Sequence, residues 1–393
     1  MKTIKIVFFT LSFCCLAGIS EGQDKVPEKV PVIVVTDLYH PHQDPGDNFD
    51  LITPYALPEI DLKAIILDCT ETFRWPYAFD AGKGLAKDVN GPRDPGFIQV
   101  LQLNYIFGRS VPCAAGPFRM MKSTNDKITD VPAFQQQGIE LFLRVLKESE
   151  KQVTVASFGS ARTIAAAFNR DPVLCKQKIK LVHLSAGSNM PNVLEWNVAL
   201  DSNAIVTVLR SGLPVAIYPC GANNQDSLGY GFHFSAFSYD SHNTFYKLPN
   251  LKFINKMEPK LHRYLNYSFG RITRNDFLRC MDSDTVFTYD EKKYSEVHFV
   301  WETAVWINIS NRKLVKHSNG KYEIIPSLSV VASDMVLPND LQSCKVTLPD
   351  NGIFSFSETK ENSNFSIFYR GDYKENEKAL IEALPALYMS FKP

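Results

Sequence analysis

Val30-Pro31-Val32-Ile33-Val34-Val35-Thr36-Asp37, then Leu38-Tyr39-His40-Pro41-His42-Gln43, then Asp44-Pro45-Gly46-Asp47-Asn48-Phe49-Asp50-Leu51, is the stretch on which the reading of this chain turns. Val32 to Val35 is a β-branched apolar run suited to a parallel strand buried on both faces, with Pro31 tolerable at its first position. The strand ends at Asp37, and Asp44, Asp47 and Asp50 fall within seven positions of one another. Apolar residues return from Leu51 to Leu57 as a short helix-like segment. In an open α/β sheet, ligands bind beyond the carboxyl ends of the strands. Four carboxylates gathered there repel one another unless a cation or hydrogen-bond donors neutralise them. Oxygen ligands on a Gly-containing loop suit Ca2+ or Mg2+ far better than zinc. The plain alternative is a solvated acidic turn capping a helix. Placement directly after an apolar strand favours the cation site, with the carboxylates of Asp37, Asp44, Asp47 and Asp50 available to it.

Upstream, Lys2 and Lys5 precede the apolar run Ile6 to Ala17, and small residues follow through Gly22. That pattern reads as a secretory signal peptide over residues 1–22, too short for a membrane span. The expectation is a secreted or periplasmic protein whose mature chain, residues 23–393, has the length for one α/β domain or two. Charge balances at 42 basic and 42 acidic residues, which argues against a nucleic-acid or polybasic membrane-binding surface. No other stretch is apolar enough to span a bilayer, and homo-oligomer formation is left open. Cys69, Cys113, Cys175, Cys220, Cys280 and Cys344 are widely spaced and contain no CxxC, so a zinc or thioredoxin-type site is not indicated. Export permits disulfides, whose pairing the sequence does not give.

Downstream, strand-like and helix-like segments alternate. Leu62–Leu67, 110–115, Val153–Ser157, Leu181–Ser185 and Pro214–Tyr218 read as strands. Phe97–Phe107, 134–150, Thr163–Phe168 and Ala199–Arg210 read as helices, and 73–93 as a polar surface loop. The alternation predicts an α/β fold, an open and mostly parallel sheet flanked by helices.

The opening stretch resembles that of the nucleoside hydrolases, in which a strand leads into Asp-x-Asp-Pro-Gly-x-Asp-Asp and a helix. Asp44-Pro45-Gly46 fits literally. Asp50 stands for the last Asp with one extra residue before it, and Leu38 to Gln43 is a further insertion. Later blocks keep the family's order. Val111 to Gly116 is similar to its strand ending in Ala-Gly, and Val153 to Pro172 resembles its Val-Thr-Leu-Val-Ala-x-Gly-Pro block with the trailing Arg-Asp-Pro. Ala186 to Asn189 falls at its Gly-Gly turn, and Glu195-Trp196-Asn197 with Asp201 looks like its Glu-Phe-Asn…Asp segment. Phe368 to Leu387 resembles its closing strand and helix.

The resemblance, in order over about the whole mature chain, implies a single domain over residues 23–393, one Ca2+ at the carboxyl ends of the strands and cleavage of the N-glycosidic bond of a ribonucleoside or related ribosyl substrate. Asp44 would be ligand and general base, with Asp50 a second ligand. Asp47 or Asn48, Asn189 and Asn197 would hold the ribose hydroxyls, with Glu195 beside them. Arg162 falls where a backbone carbonyl binds the ion. Trp301-Glu302-Thr303 stands at the family's His-Asp-Pro, so Glu302 would be the late ligand, and Trp301 would replace a His without its capacity to donate a proton. Such cleavage passes through an oxocarbenium-like state, which calls for an oriented water, a general base and groups gripping the sugar. His233, in Tyr230-Gly231-Phe232-His233-Phe234, is a candidate to protonate or stack on the departing base, against the plain reading of a surface His. The rival function is a non-catalytic ribose- or carbohydrate-binding protein on the same fold.

Overall fold

The computed structural model describes residues 28–38, 44–70, 96–189, 193–221, 241–270, 274–283 and 291–393. The signal-peptide segment, His40, His42, the loop 73–93 and His233 lie outside the described residues.

Fourteen strands are formed by the described residues: β1 (Val30–Thr36), β2 (Ile60–Leu67), β3 (Cys113–Ala115), β4 (Val153–Phe158), β5 (Ile179–Ser185), β6 (Val215–Tyr218), β7 (Tyr246–Leu248), β8 (His298–Val300), β9 (Arg312–Lys316), β10 (Tyr322–Pro326), β11 (Met335–Val336), β12 (Asp340–Thr347), β13 (Ser355–Glu358) and β14 (Phe365–Tyr369). Nine build one sheet in the order β13-β12-β14-β6-β5-β4-β1-β2-β3. Every pairing from β14 to β3 is parallel, and β12 joins β14 and β13 antiparallel. The expected mostly parallel α/β sheet is therefore present. β10-β9-β11 and β7-β8 form two small separate sheets.

β1 sits between β4 and β2, and its β-branched run is sealed on both sides. Val32 and Val34 pack into one apolar core, Ile33 and Val35 into the other. That two-sided burial is why the run shows no polar alternation. The helices are α1 (Pro45–Ala56), α2 (Phe97–Ile106), α3 (Ala133–Glu148), α4 (Arg162–Arg170), α5 (Pro172–Lys178), α6 (Trp196–Leu200), α7 (Ser202–Arg210), α8 (Pro259–Phe269), α9 (Glu291–Ser295), α10 (Ala304–Ile309) and α11 (Tyr373–Ser390). α3, α4 and α7 pack on the face of Ile33 and Val35, while α1, α8, α10 and α11 pack on that of Val32 and Val34.

Three local readings need correction. The helix expected to begin near Leu51 starts at Pro45, because Asp44 caps it by accepting from the Gly46 N–H at 2.7 Å and Pro45 has a helix-ready φ. The helix expected over Ala199–Arg210 is two: Asp201, at φ −167°, leaves helical geometry and its side chain caps α7 through the Ala204 N–H at 3.1 Å. The third strand begins only at Cys113, after Pro112, which has no N–H to give to the ladder. Among the described residues no disulfide joins the six cysteines, and no helix is long and apolar enough to cross a membrane.

Candidate functional site

The carboxyl ends of β1, β2, β4, β5 and β6 open onto one region, and the turns after them supply most of its polar groups. Asp37 follows β1 and Asp68 follows β2. Between them lies Gly159, after β4. A Cβ on Gly159 would stand 2.7 Å from Asp68 Oδ2 and 3.1 Å from Asp37 Cβ, so only glycine lets the two acidic turns close in. α1 then carries Asp47 and Asp50 one turn apart on one face. β8 crosses the start of this helix: a Cβ on Gly46 would lie 3.4 Å from the Val300 side chain. Trp301 and Glu302 follow Val300 directly and are thereby delivered to the acidic loop.

Electrostatics shows how close these groups stand. Burial raises the Asp50 carboxyl well above the ordinary carboxylate range, Asp47 and Asp44 push it further, and the Trp306 indole opposes them. Desolvation likewise raises Glu302, with Asp47, Asp50, Asp37 and Asp44 adding to it. Both Asp50 oxygens are buried without a hydrogen-bond partner among the described residues. A buried carboxylate in that condition, crowded by like charges, is stabilised by a cation. The donors are all oxygen, which fits a hard divalent ion. Among the described residues no three His, Cys, Asp or Glu groups already stand in coordinating geometry, so the carboxylates are gathered but not closed around a point.

Asn48 has both ends of its side chain occupied. Its Nδ2 donates to the Asp44 carbonyl at 2.8 Å, and its Oδ1 accepts from the Tyr264 hydroxyl at 2.9 Å. It therefore steadies the cap of α1, leaving Asp47 as the partly exposed member of that pair. Asn197 donates through Nδ2 to the Ser185 carbonyl at 2.7 Å and to Glu302 Oε1 at 3.4 Å, which aims its Oδ1 away from both. Glu195 caps α6: its carboxylate accepts from the N–H groups of Gly187, Asn197 and Val198 at 2.9, 3.0 and 3.3 Å. Burial pushes its pKa up to about 7 against those three donors, and Asp37 adds to the rise. Asn189 is half-buried on the turn after β5. Trp301 is half-buried with its ring 5.6 Å from that of Phe245.

Arg162 opens α4 and is fully enclosed. Its guanidinium bonds Asp201 at 2.8 Å, the carbonyls of Pro117 at 2.6 Å and Leu200 at 3.2 Å, and the Thr70 hydroxyl. Asp68 stands 3.6 Å from it. A cation cannot ligate a cation, so any part of Arg162 in ion binding falls to its main chain.

Three groups of this region were not singled out from sequence. Asp68 ends a strand next to β1, and parallel neighbours end together, which is a usable signal. Cys220 follows β6 and its thiol is raised by burial and by Glu195, Glu302 and Asp37. Trp306 had no signal, because a Trp in an apolar helix reads as core. At the rim, Phe354 packs so tightly on Gly187 (φ +84°) that a Cβ there would lie 2.2 Å from its ring.

No family model matches the chain. It is 27% identical over 187 residues to the pyrimidine-specific ribonucleoside hydrolase RihA of Escherichia coli O127:H6, covering 44% of this chain and 57% of that protein. The RihA of Citrobacter koseri is 24% identical over 196 residues, with the same shares, 44% and 57%. The chain thus spans little more than half the length of these curated relatives. Among solved structures, a plant nucleoside hydrolase covers 92% of this chain at 14% identity with a TM-score of 0.49, and 99% of its own chain is covered. The sequence matches thus fall on ribonucleoside hydrolases, to which the chain is similar at low identity over less than half of its length.

Proposed function

We propose that this protein hydrolyses the N-glycosidic bond of ribonucleosides with the help of a bound Ca2+. The observation that carries the reading is the buried, unpartnered Asp50 carboxylate beside Asp44, Asp47 and Glu302, in a chain whose sequence relatives are ribonucleoside hydrolases. Asp44, Asp50 and Glu302 would hold the ion, with Asp37 behind them and the Arg162 main chain at its edge. A bound calcium lowers the pKa of a water and orients it.

The chain's own residues do the rest. Asp44 takes the proton of the attacking water, while the water oxygen bonds to the anomeric carbon and the C–N bond breaks with its electron pair on the base. The Oδ1 of Asn197 accepts from a sugar hydroxyl, since both its N–H groups are turned to Ser185 and Glu302. Asp47 and Asn189 complete the grip on the sugar, and Glu195 fixes the turn that carries Asn197. Fixing the sugar in this way removes the orientational cost of the reaction. Trp301 offers an aromatic face to the departing base. The export reading of the N-terminal segment remains part of this proposal.

The test is release of reducing sugar from uridine, inosine and 4-nitrophenyl riboside, with calcium and with EDTA. Calcium-dependent release from any of them is expected. Tight ribose binding without release from any of them would favour the non-catalytic sugar-binding reading.

A further inference from the structure

Trp301 stands between two contacts of the site. On one side Val300 meets the first turn of α1, where a Cβ on Gly46 would lie 3.4 Å from the Val300 side chain and 3.2 Å from Asp44 Oδ1. On the other side Glu302 Oε1 is 3.4 Å from Asn197 Nδ2. The half-buried indole is backed by the buried ring of Phe245 at 5.6 Å. Phe299 stacks on Phe245 in turn, also at 5.6 Å, with the two planes 17° apart. These rings make a layered aromatic wall beside the acidic loop.

The charge beside this wall is negative. Asp44, Asp50 and Glu302 around a divalent ion leave a negative balance, and Asp37 and Asp47 add to it. Arg162 does not offset them, because its guanidinium is spent on Asp201, Thr70 and main-chain carbonyls. The wall also has no proton to give: phenyl rings carry none, and an indole N–H donates a hydrogen bond without ionising. Glu195 turns its two oxygens to the N–H groups of Gly187, Asn197 and Val198, as the cap of α6. An aromatic face in negative surroundings attracts a cation.

We propose that the preferred substrate is a cationic N-riboside of the ribosylpyridinium type, whose aromatic base carries a quaternary nitrogen at the glycosidic bond and lies against Trp301. The inference rests on the hydrolase reading above and names the substrate class of the same site. The water oxygen bonds to the anomeric carbon as the C–N bond breaks. The electron pair of that bond returns to the ring nitrogen, which loses its positive charge, and the base departs neutral. The proton shed by the water goes to Asp44. The leaving group takes up no proton, so no acid is needed where Trp301 stands. A base that departs as an anion would instead form among carboxylates that repel it.

The experiment measures kcat/KM of the full chain, with calcium, on N-ribosylpyridinium, 4-nitrophenyl riboside and uridine, each relative to its spontaneous hydrolysis. The pyridinium compound should rank first and uridine last. Trp301→Leu should lower the pyridinium value by about fivefold or more, chiefly through KM, as expected for loss of a cation–aromatic contact. It should lower the 4-nitrophenyl value less, and Trp301→Phe, which keeps a ring, should recover most of the loss. A second measurement needs no variant: N-methylpyridinium should inhibit hydrolysis of 4-nitrophenyl riboside competitively, and toluene, its uncharged counterpart of the same shape, should not. Uridine cleaved as efficiently as the pyridinium compound, or equal inhibition by toluene, overturns the cationic class and leaves the hydrolase standing. Release of ribose from none of the three substrates removes the hydrolase reading itself. If Trp301→Leu fails to fold, the two inhibitors decide.

Discussion

Arg162 Nε lies 2.8 Å from Asp201 Oδ2, and both side chains are fully excluded from solvent. The pair ties the first turn of α4, after β4, to the cap of α7. The same Asp201 oxygen also accepts the Met121 N–H at 2.7 Å. Arg162→Met should therefore lower stability by about 3–5 kcal/mol, because it leaves a buried carboxylate and several main-chain carbonyls without their donor. Urea unfolding midpoints measure this. A change under about 1 kcal/mol would show that the pair is dispensable.

Calcium removal should be visible without any substrate. At a calcium concentration about 100 times Kd, the folded state gains about 2.7 kcal/mol, so melting should move upward and return with EDTA. Asp44→Asn should abolish that shift. Asparagine caps helices as well as aspartate does, so α1 itself should survive and the lost shift would report the missing charge. Identical wild-type melting curves in calcium and in EDTA would reduce the acidic loop to a capped turn.

In the proposed reaction, the residue at 301 bears on the leaving group. A tryptophan gives no proton to a departing base, so nucleosides should be cleaved much more slowly than 4-nitrophenyl riboside, whose leaving group needs none. The ratio of kcat/KM for the two substrates is the readout. Equal values would mean that another acid acts on the base.

Away from the site, His317 bridges two acids, with Nδ1 2.8 Å from Asp334 and Nε2 3.1 Å from Glu323. Both contacts are satisfied only by the doubly protonated ring, and Asp334 first, then Glu323, raises its pKa. A raised folded pKa means that this clasp contributes in full below the ordinary histidine value of about 6.5 and is lost as pH rises through the raised one. His317→Gln should thus lower the melting temperature in mildly acidic buffer and change it little at alkaline pH. An unchanged difference across that range would disconnect His317 from the stability of the β9–β10 hairpin.

How much of this was legible in the sequence follows from where the signals lie. β1 and β6 announce themselves as apolar runs buried on both faces, and β2, β4 and β5 as largely apolar segments whose carboxyl ends are fully buried. β12 does not: it is mostly half-buried, alternates weakly, and is held by partners on both sides. The break at Asp201 is a matter of one residue's backbone angles, in a stretch whose composition suits an uninterrupted helix. For the site, ordered blocks lead to the acidic loop, Glu195 and Asn197. The contacts of Arg162 are mostly with main-chain carbonyls, which carry no sequence signature. The occupied side chain of Asn48 depends on Tyr264, more than two hundred positions away along the chain.

The contact of Phe354 with Gly187 reaches beyond local packing. Phe354 belongs to the connection between β12 and β13, late in the chain, whereas the Gly187 N–H is one of the donors that hold Glu195. The late hairpin therefore governs which residues the turn after β5 can carry. A sequence that trims or reroutes this hairpin frees position 187 to acquire a side chain, and one that keeps it is bound to glycine there. The two features should be inherited together, so that the length of the hairpin in a related chain foretells the residue at the rim of its site.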